Sequence, residues 1–359
     1  MDSKRLRLII GASACAVLVY VVANLAMDGL ARRMEVSQRA YLWWQEEWMQ
    51  LFGPANFVDR GKHRILLSAS SEGREGFLFD EFEAELQGSD VYNNSYSRHS
   101  LTALLLVLQY IEVAYGPSAI PRKIVVGATP EFVFNLPLIQ NSYLPRVIDR
   151  YSSHVRVDLE SSPPRLVPKS WLDSVAGRYF FLTHQSRRYR NALRAVRRAV
   201  IERVAPELAG SYWVRLQLVP STYHHLPRRD QAAELKRAKR VGLAAPDPVA
   251  SAESLRVEWA ALERFVKDRN IDLYVVVLPQ STWWINAWYE ETYDDYRRIL
   301  RDVVGNTPFL DLADFLRDDE YYDMTHATLA SAKRISQRVA RFVRETDESR
   351  SHAGSGGVH

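Results

Sequence analysis

Two regimes of hydrophobic patterning alternate along this chain: short continuous apolar runs, and longer stretches in which apolar residues recur every three or four positions. Ile65–Leu67, Lys123–Gly127, Asp272–Pro279 and Phe309–Leu312 belong to the first regime, and Asp90–Asn94, DVYNN, is a further short segment read with them. Each is short and flanked by turn-forming residues, which predicts a strand. In Asp272–Pro279, DLYVVVLP, the unbroken β-branched run predicts a parallel strand covered on both faces. Ser68, Ala69, Ser70 and Ser71 are too small and polar to continue the first strand, and Glu72–Phe77 reads as the turn into a helix or loop. In the second regime, Ser251–Lys267 carries Leu255, Trp259, Leu262 and Val266 on one helical face, and Thr328–Arg344 carries Leu329, Ile335, Val339 and Phe342. Ser100–Tyr115 is almost wholly apolar and stops at Gly116-Pro117; too short to span a membrane, it predicts a buried helix. Strands alternating with helices predict an α/β fold, a three-layer α/β/α sandwich on a parallel sheet. The third and fourth strands are separated by residues 128–271, far more than the roughly thirty of a crossover unit. That interval predicts an insertion or cap over about 140–250. Thr346–His359 is polar and Gly/Ser-rich and predicts a disordered tail.

The first residues change this picture. Leu8–Met27 carries no charge and is long enough, at about twenty residues, to span a bilayer. Asn24-Leu25-Ala26 is a poor cleavage site, so the stretch predicts an uncleaved signal anchor. Lys4, Arg5 and Arg7 precede it; Arg32 and Arg33 follow, diluted by Asp28 and Glu35. The positive-inside rule then places the N-terminus in the cytoplasm and the rest outside it, in the periplasm of a two-membrane bacterium. The expected organisation is 1–33 N-terminus and anchor, 34–60 juxtamembrane helix, 61–345 α/β domain and 346–359 tail. Tyr41, Trp44, Trp48 and Phe52 fall at helical spacing in the juxtamembrane stretch, which fits either a membrane-surface helix or one packed on the domain.

Composition, 47% apolar and 25% charged, is that of an ordinary globular protein. The net charge is +4, of which +3 belongs to residues 1–33, so the domain gives no case for nucleic acid. The single cysteine, Cys15, lies in the apolar stretch, which excludes an intrachain disulfide and a cysteine metal site. His224-His225 is adjacent in sequence and diverges on any regular element, so no metal or other cofactor is expected. Ser186–Arg203 carries seven arginines, which fit a solvated helix face or a patch for an anionic glycan or headgroup.

The candidate chemistry lies at the two ends of the domain. Ser71 follows a buried strand, a position suited to a nucleophile. Asp323 and His326, three residues apart in YYDMTHATLAS, share a face of a turn. An aspartate bound to one imidazole nitrogen fixes the tautomer and leaves the other nitrogen as base toward a serine. Ala69-x-Ser71-x-x-x-x-Gly76 and Asp323-x-x-His326, in the order Ser, Asp, His, resemble the first and last motifs of the SGNH/GDSL hydrolase superfamily. That resemblance implies a flavodoxin-like α/β/α sandwich with a Ser71–His326–Asp323 triad. It also implies oxyanion donors at Arg98, where the second motif has glycine, and at Thr129, where the third has asparagine. Ser70-Ser71-Glu72 is similar to the first motif of membrane-anchored, DltD-like members. Cell-envelope O-acylation proteins of the AlgX/AlgJ type share the serine and Asp-x-x-His pattern. The resemblance implies acyl transfer to, or removal from, an envelope glycan, beside a membrane-bound O-acyltransferase or glycan-synthesis partner.

Two function classes follow. One is a serine esterase or O-acyltransferase; the other is a non-catalytic glycan-binding or scaffold module, motivated by Arg98 and Thr129 at the donor positions. Trp283, Trp284 and Trp288 follow the fourth strand's C-terminal end, where ligands bind in open α/β sheets. They fit either stacking on sugar rings or packing under the insertion.

Overall fold

The computed structural model describes residues 11–13, 15–23, 25–26, 63–96, 99–134, 148, 152, 155–171, 230, 232–233, 235–236 and 247–355. Five strands form one parallel sheet: β1 (His63–Ala69), β2 (Ser89–Asn93), β3 (Lys123–Ala128), β6 (Asp272–Val277) and β7 (Phe309–Asp311), in the order β2-β1-β3-β6-β7. Two further strands, β4 (Val155–Asp158) and β5 (Arg165–Pro168), pair antiparallel as a separate hairpin. The hairpin lies in the interval expected to hold an insertion. The large sheet is therefore doubly wound, and the strand order reverses between β1 and β3.

Strand residues alternate between two cores. Leu66, Ile124, Val126, Leu273, Val275 and Val277 pack against α3 (Leu101–Tyr115), α5 (Pro248–Asp268) and α7 (Tyr293–Val304). Ile65, Leu67, Val125, Tyr274 and Val276 pack on the opposite face against α1 (Ser71–Gly76), α2 (Phe79–Glu85) and α8 (Leu329–Ser355). Both faces are covered, so the strands carry continuous apolar runs. The two remaining helices, α4 (Pro130–Phe134) and α6 (Thr282–Trp288), are short and follow β3 and β6.

Helix α3 shows why its sequence lacks a polar face. Leu101, Leu104, Leu105 and Leu108 pack on the sheet. Ala103, Leu106, Val107, Tyr110 and Ile111 meet Ile148 and the hairpin residues Val155 and Val157. Ser100 caps the helix by accepting from the Ala103 N–H at 3.2 Å. Asp247 caps α5 with Pro248 at its first turn, and the expected stripe Leu255, Trp259, Leu262 and Val266 is buried.

Three expectations need correction. First, β1 continues through Ser68 and Ala69. The Ser68 hydroxyl is satisfied inside the sheet by His99 Nε2 at 2.7 Å, so a polar residue there does not end the strand. Second, α8 runs on to Ser355, through most of the stretch read as a disordered tail. Its Asp347 accepts from Lys123 Nζ and Tyr274 Oη, and Arg350 pairs with Asp272 at 2.9 Å, so tertiary charge contacts hold a polar helix. Third, Leu329 is 44% exposed, and the buried stripe of α8 is Ile335, Val339 and Val343, with Phe342 partly buried. Leu329 faces solvent, while Ser331 and Ala332 in the same turn are buried.

Residues 11–13, 15–23 and 25–26 are helical, with Val17, Leu18, Val19, Val22 and Leu25 each more than half exposed. Among the described residues no helix is long and apolar enough to cross a membrane. The aromatic stretch 34–60, the arginine-rich stretch 186–203 and His224-His225 lie outside the described residues.

Helix α1 sits down on the ends of β1 and β3 because two glycines leave room for it. A Cβ on Gly73 would lie 2.2 Å from Ala69 Cβ, and one on Gly127 would lie 2.8 Å from the same atom and 2.9 Å from the Phe77 ring. Gly127→Ala is expected to destabilise the domain by about 1–3 kcal/mol, as overpacking does. Gly73→Ala is expected to cost at least as much. Urea denaturation of the two variants checks this; midpoints equal to wild type would show that the contact is not tight.

Candidate active site

The C-terminal edge of the parallel sheet, at the point where the strand order reverses, is where an open α/β sheet presents a crevice. β1 delivers Ser70 and Ser71 there, β3 delivers Thr129 and Glu131, β6 delivers Gln280 and Ser281, and the loop after β7 delivers Asp323 and His326. Ser70 is the N-cap residue of α1 and is buried; Ser71, the first helical residue, is partly exposed. The Ser70 hydroxyl donates to Glu72 Oε2 and lies 3.3 Å from Thr129 Oγ1, and the Ser71 hydroxyl donates to the same Glu72 oxygen at 3.4 Å. Neighbours fix the helix: Asn93 Nδ2 donates to the carbonyls of Gly73 (3.1 Å) and Phe77 (2.8 Å), and Ser336 Oγ donates to that of Gly76 (2.9 Å).

Asp323 and His326 form a closed turn. Asp323 Oδ1 accepts from the N–H groups of Thr325 (2.9 Å) and His326 (2.8 Å), and the His326 ring Nδ1 meets Asp323 Oδ2 at 2.8 Å. The Tyr322 N–H donates back to the His326 carbonyl at 2.7 Å. With Asp323 ionised, the proton sits on Nδ1 and Nε2 carries the lone pair. Ser281 ties this turn to the neighbouring strand end: its hydroxyl donates to the Met324 carbonyl at 2.5 Å and accepts from the Trp284 N–H at 3.2 Å.

Charge knits the edge together. Burial works to raise the Asp323 pKa, but the His326 charge and its hydrogen bonds outweigh that and bring it down to about 2. Burial works to lower the His326 pKa, but the Asp323 charge and hydrogen bond, aided by Glu72 and Glu75, push it up. Glu131 is pushed up to about 7, first by burial and then by the Glu72 charge, against hydrogen bonds from its own backbone, Tyr289 and Trp284. Glu72, on the helix that carries Ser71, thus acts on both His326 and Glu131.

The other sequence-predicted residues take distinct places. Thr129 is fully buried, and its hydroxyl accepts from the Phe132 N–H at 3.3 Å, capping α4, while standing beside Ser70. Trp284 Nε1 donates to Glu131 Oε1 at 2.9 Å and its ring meets Trp288 edge-on at 5.4 Å, so Trp284 serves to fix a carboxyl group. Trp283 is 39% exposed. Arg98 lies outside the described residues. Among the described residues no cluster of three or more His, Cys, Asp or Glu side chains is placed to hold a metal.

Sequence reasoning missed Glu131; the signal available was an acid three residues past the end of β3, beside the motif position Thr129. It also missed a second Ser–His pair, Ser68 with His99. That pair is sealed, at 0% and 1% exposure, with the His99 ring stacked 4.0 Å from Tyr96. Burial pushes the His99 pKa well down, so it stays neutral and serves the core.

The His326 ring is expected to titrate above the ordinary histidine value of about 6.5, and lower than in wild type in Asp323→Asn, where only the Glu72 and Glu75 charges still oppose burial. A raised native pKa means that the stabilisation from charged His326 is complete below about pH 6.5 and is lost as pH rises through the native value. Imidazole NMR of the two proteins checks this; titration of His326 at the same pH in both would show that Asp323 does not control the ring.

No protein-family model matches this chain, and no curated protein sequence matches it significantly.

Proposed function

We propose that this chain is an SGNH-type serine acyltransferase or esterase, anchored by residues 8–27 in the cell membrane with its α/β domain outside the cytoplasm, acting on an envelope glycan. The observation that carries the reading is the Asp323–His326 dyad, with Nδ1 held at 2.8 Å, on the same sheet edge at which Ser71 leaves β1. A serine hydroxyl is a weak nucleophile and needs a base. His326, raised in basicity by Asp323, takes the Ser71 proton as the hydroxyl attacks an acyl ester. It returns that proton to the departing oxygen, and a sugar hydroxyl or water then resolves the acyl-enzyme. Thr129 stands beside the serine pair as a candidate donor to the oxyanion, together with Arg98. The exposed ring of Trp283 suits the face of a sugar. The exposed apolar side chains of the N-terminal helical stretch support membrane anchoring, and a membrane-bound O-acyltransferase or glycan-synthesis protein is the expected partner.

A second reading, a glycan-binding module without turnover, is favoured by the engagement of both serine hydroxyls with Glu72.

Ser71→Ala and His326→Ala are each expected to lower turnover of an activated acetyl ester by about 10⁴-fold or more while the protein stays folded. A fluorophosphonate should label wild type at Ser71, and peptide mapping separates this from labelling at Ser70. Full turnover by folded Ser71→Ala would leave the binding module as the better account.

A further inference from the structure

The turn that carries the candidate base is shaped from within. Asp323 Oδ1 accepts from the Thr325 and His326 N–H groups, the Tyr322 N–H donates to the His326 carbonyl, and the Thr328 N–H donates to the Glu320 carbonyl at 3.0 Å. Each of these bonds closes within residues 320–328, so they fix the shape of the turn but not its place on the sheet edge. Two consecutive residues at the start of α6 act on its place. Ser281, 1% exposed, donates its hydroxyl proton to the Met324 carbonyl at 2.5 Å, inside the turn and 43 residues away in sequence. Thr282 holds the approach to the turn: its N–H donates to Asp318 Oδ1 at 2.8 Å and its hydroxyl to Asp318 Oδ2.

An N-cap needs only the acceptor side of a serine hydroxyl. Ser281 meets that need by accepting from the Trp284 N–H at 3.2 Å, which leaves its one proton for Met324. On its other side the same stretch is tied to the end of β3. The Leu278 N–H donates to the Ala128 carbonyl at 3.0 Å, and Trp284 Nε1 donates to Glu131 Oε1 at 2.9 Å. Thr129, between Ala128 and Glu131 in sequence, lies 3.3 Å from the Ser70 hydroxyl. A path of hydrogen bonds and short chain segments thus runs from the serine pair through Thr129 and the end of β6 to Met324. Ser281 is its last link to the Asp323–His326 turn.

We infer that Ser281 is a positioning residue for proton transfer: the hydrogen bond from its hydroxyl to Met324 sets where the His326 ring stands relative to Ser71. The inference rests on the acyl-transfer reading above. A base must stand within hydrogen-bond reach of the proton it takes, and a displacement of about 1 Å is enough to cost about 10²-fold in rate. Asp323 sets the basicity and tautomer of His326, but the two share one turn and move together. Ser281 belongs to the strand frame, so basicity and placement fall to different residues.

The test uses the full-length protein in detergent, with p-nitrophenyl acetate as substrate. Ser281→Gly keeps a residue that serves as an N-cap and removes the donor. It is expected to lower kcat by about 10²-fold with little change in KM. Ser281→Thr keeps both donor and cap and is expected to retain most of the turnover. By NMR, the His326 imidazole of Ser281→Gly is expected to titrate at the same raised value as in wild type, because Asp323 and its bonds remain. Wild-type turnover in Ser281→Gly overturns the inference. So do equal losses in the glycine and threonine variants, which would show that packing and not the donated bond matters. A His326 titration that falls in Ser281→Gly to that of Asp323→Asn also overturns it, since Ser281 would then maintain the dyad rather than place it. Ser71→Ala separates the inference from the reading beneath it. Full turnover in Ser71→Ala removes the acyl-transfer reading and the inference together, whereas loss of turnover there with wild-type turnover in Ser281→Gly removes the inference alone.

Discussion

The arrangement of this molecule depends on the lack of side chains where α1 meets the ends of β1 and β3. Ala69 lies at the centre of that contact, in register with Gly127 on β3 and under Gly73 on α1. A larger residue at any of the three would lift the helix, and with it Ser70, Ser71 and Glu72, away from Thr129 and from the loop that carries His326. Interiors are packed too closely to absorb such a shift locally. The position of the serine pair is therefore a packing result, reinforced by Asn93 and Ser336, which bind the carbonyls at the far end of the same short helix.

Electrostatics then divides the edge between two kinds of acid. Asp323 is surrounded by donors and by the imidazole, and stays ionised. Glu131 has donors on one oxygen and an acid for a neighbour, and is pushed toward neutrality. Glu72 receives both serine hydroxyls. Environments that drive similar groups to different protonation states mark sites where chemistry is performed, more than faces that serve only solubility.

The sequence revealed what depends on local pattern. The central strands β3 and β6 were legible because a strand covered on both faces carries a continuous apolar run, and the Asp323–His326 turn because both members lie within one turn of chain. What escaped notice depends on partners distant in sequence. Ser68 continues β1 because His99 meets it, and α8 extends past Thr346 because Lys123, Tyr274 and Asp272 receive its charges. Leu329 looked like a core residue because of its apolar character, but in the first turn of α8 it is Ser331 and Ala332 that are buried. Glu131 escaped notice because its state is set by burial, by Glu72 on one distant segment and by Trp284 and Tyr289 on another.

The candidate nucleophile leaves the first strand of the sheet, and its candidate base follows the last. Every strand between them must pair before the two meet, and the final helix must dock to hold the second. A chain still emerging from the ribosome therefore carries the serine without its histidine. Contacts so far apart along the chain form late, since loop closure precedes any gain from them. On the proposed reading the serine gains its base only when synthesis and folding are complete, and a nascent or truncated chain lacks it.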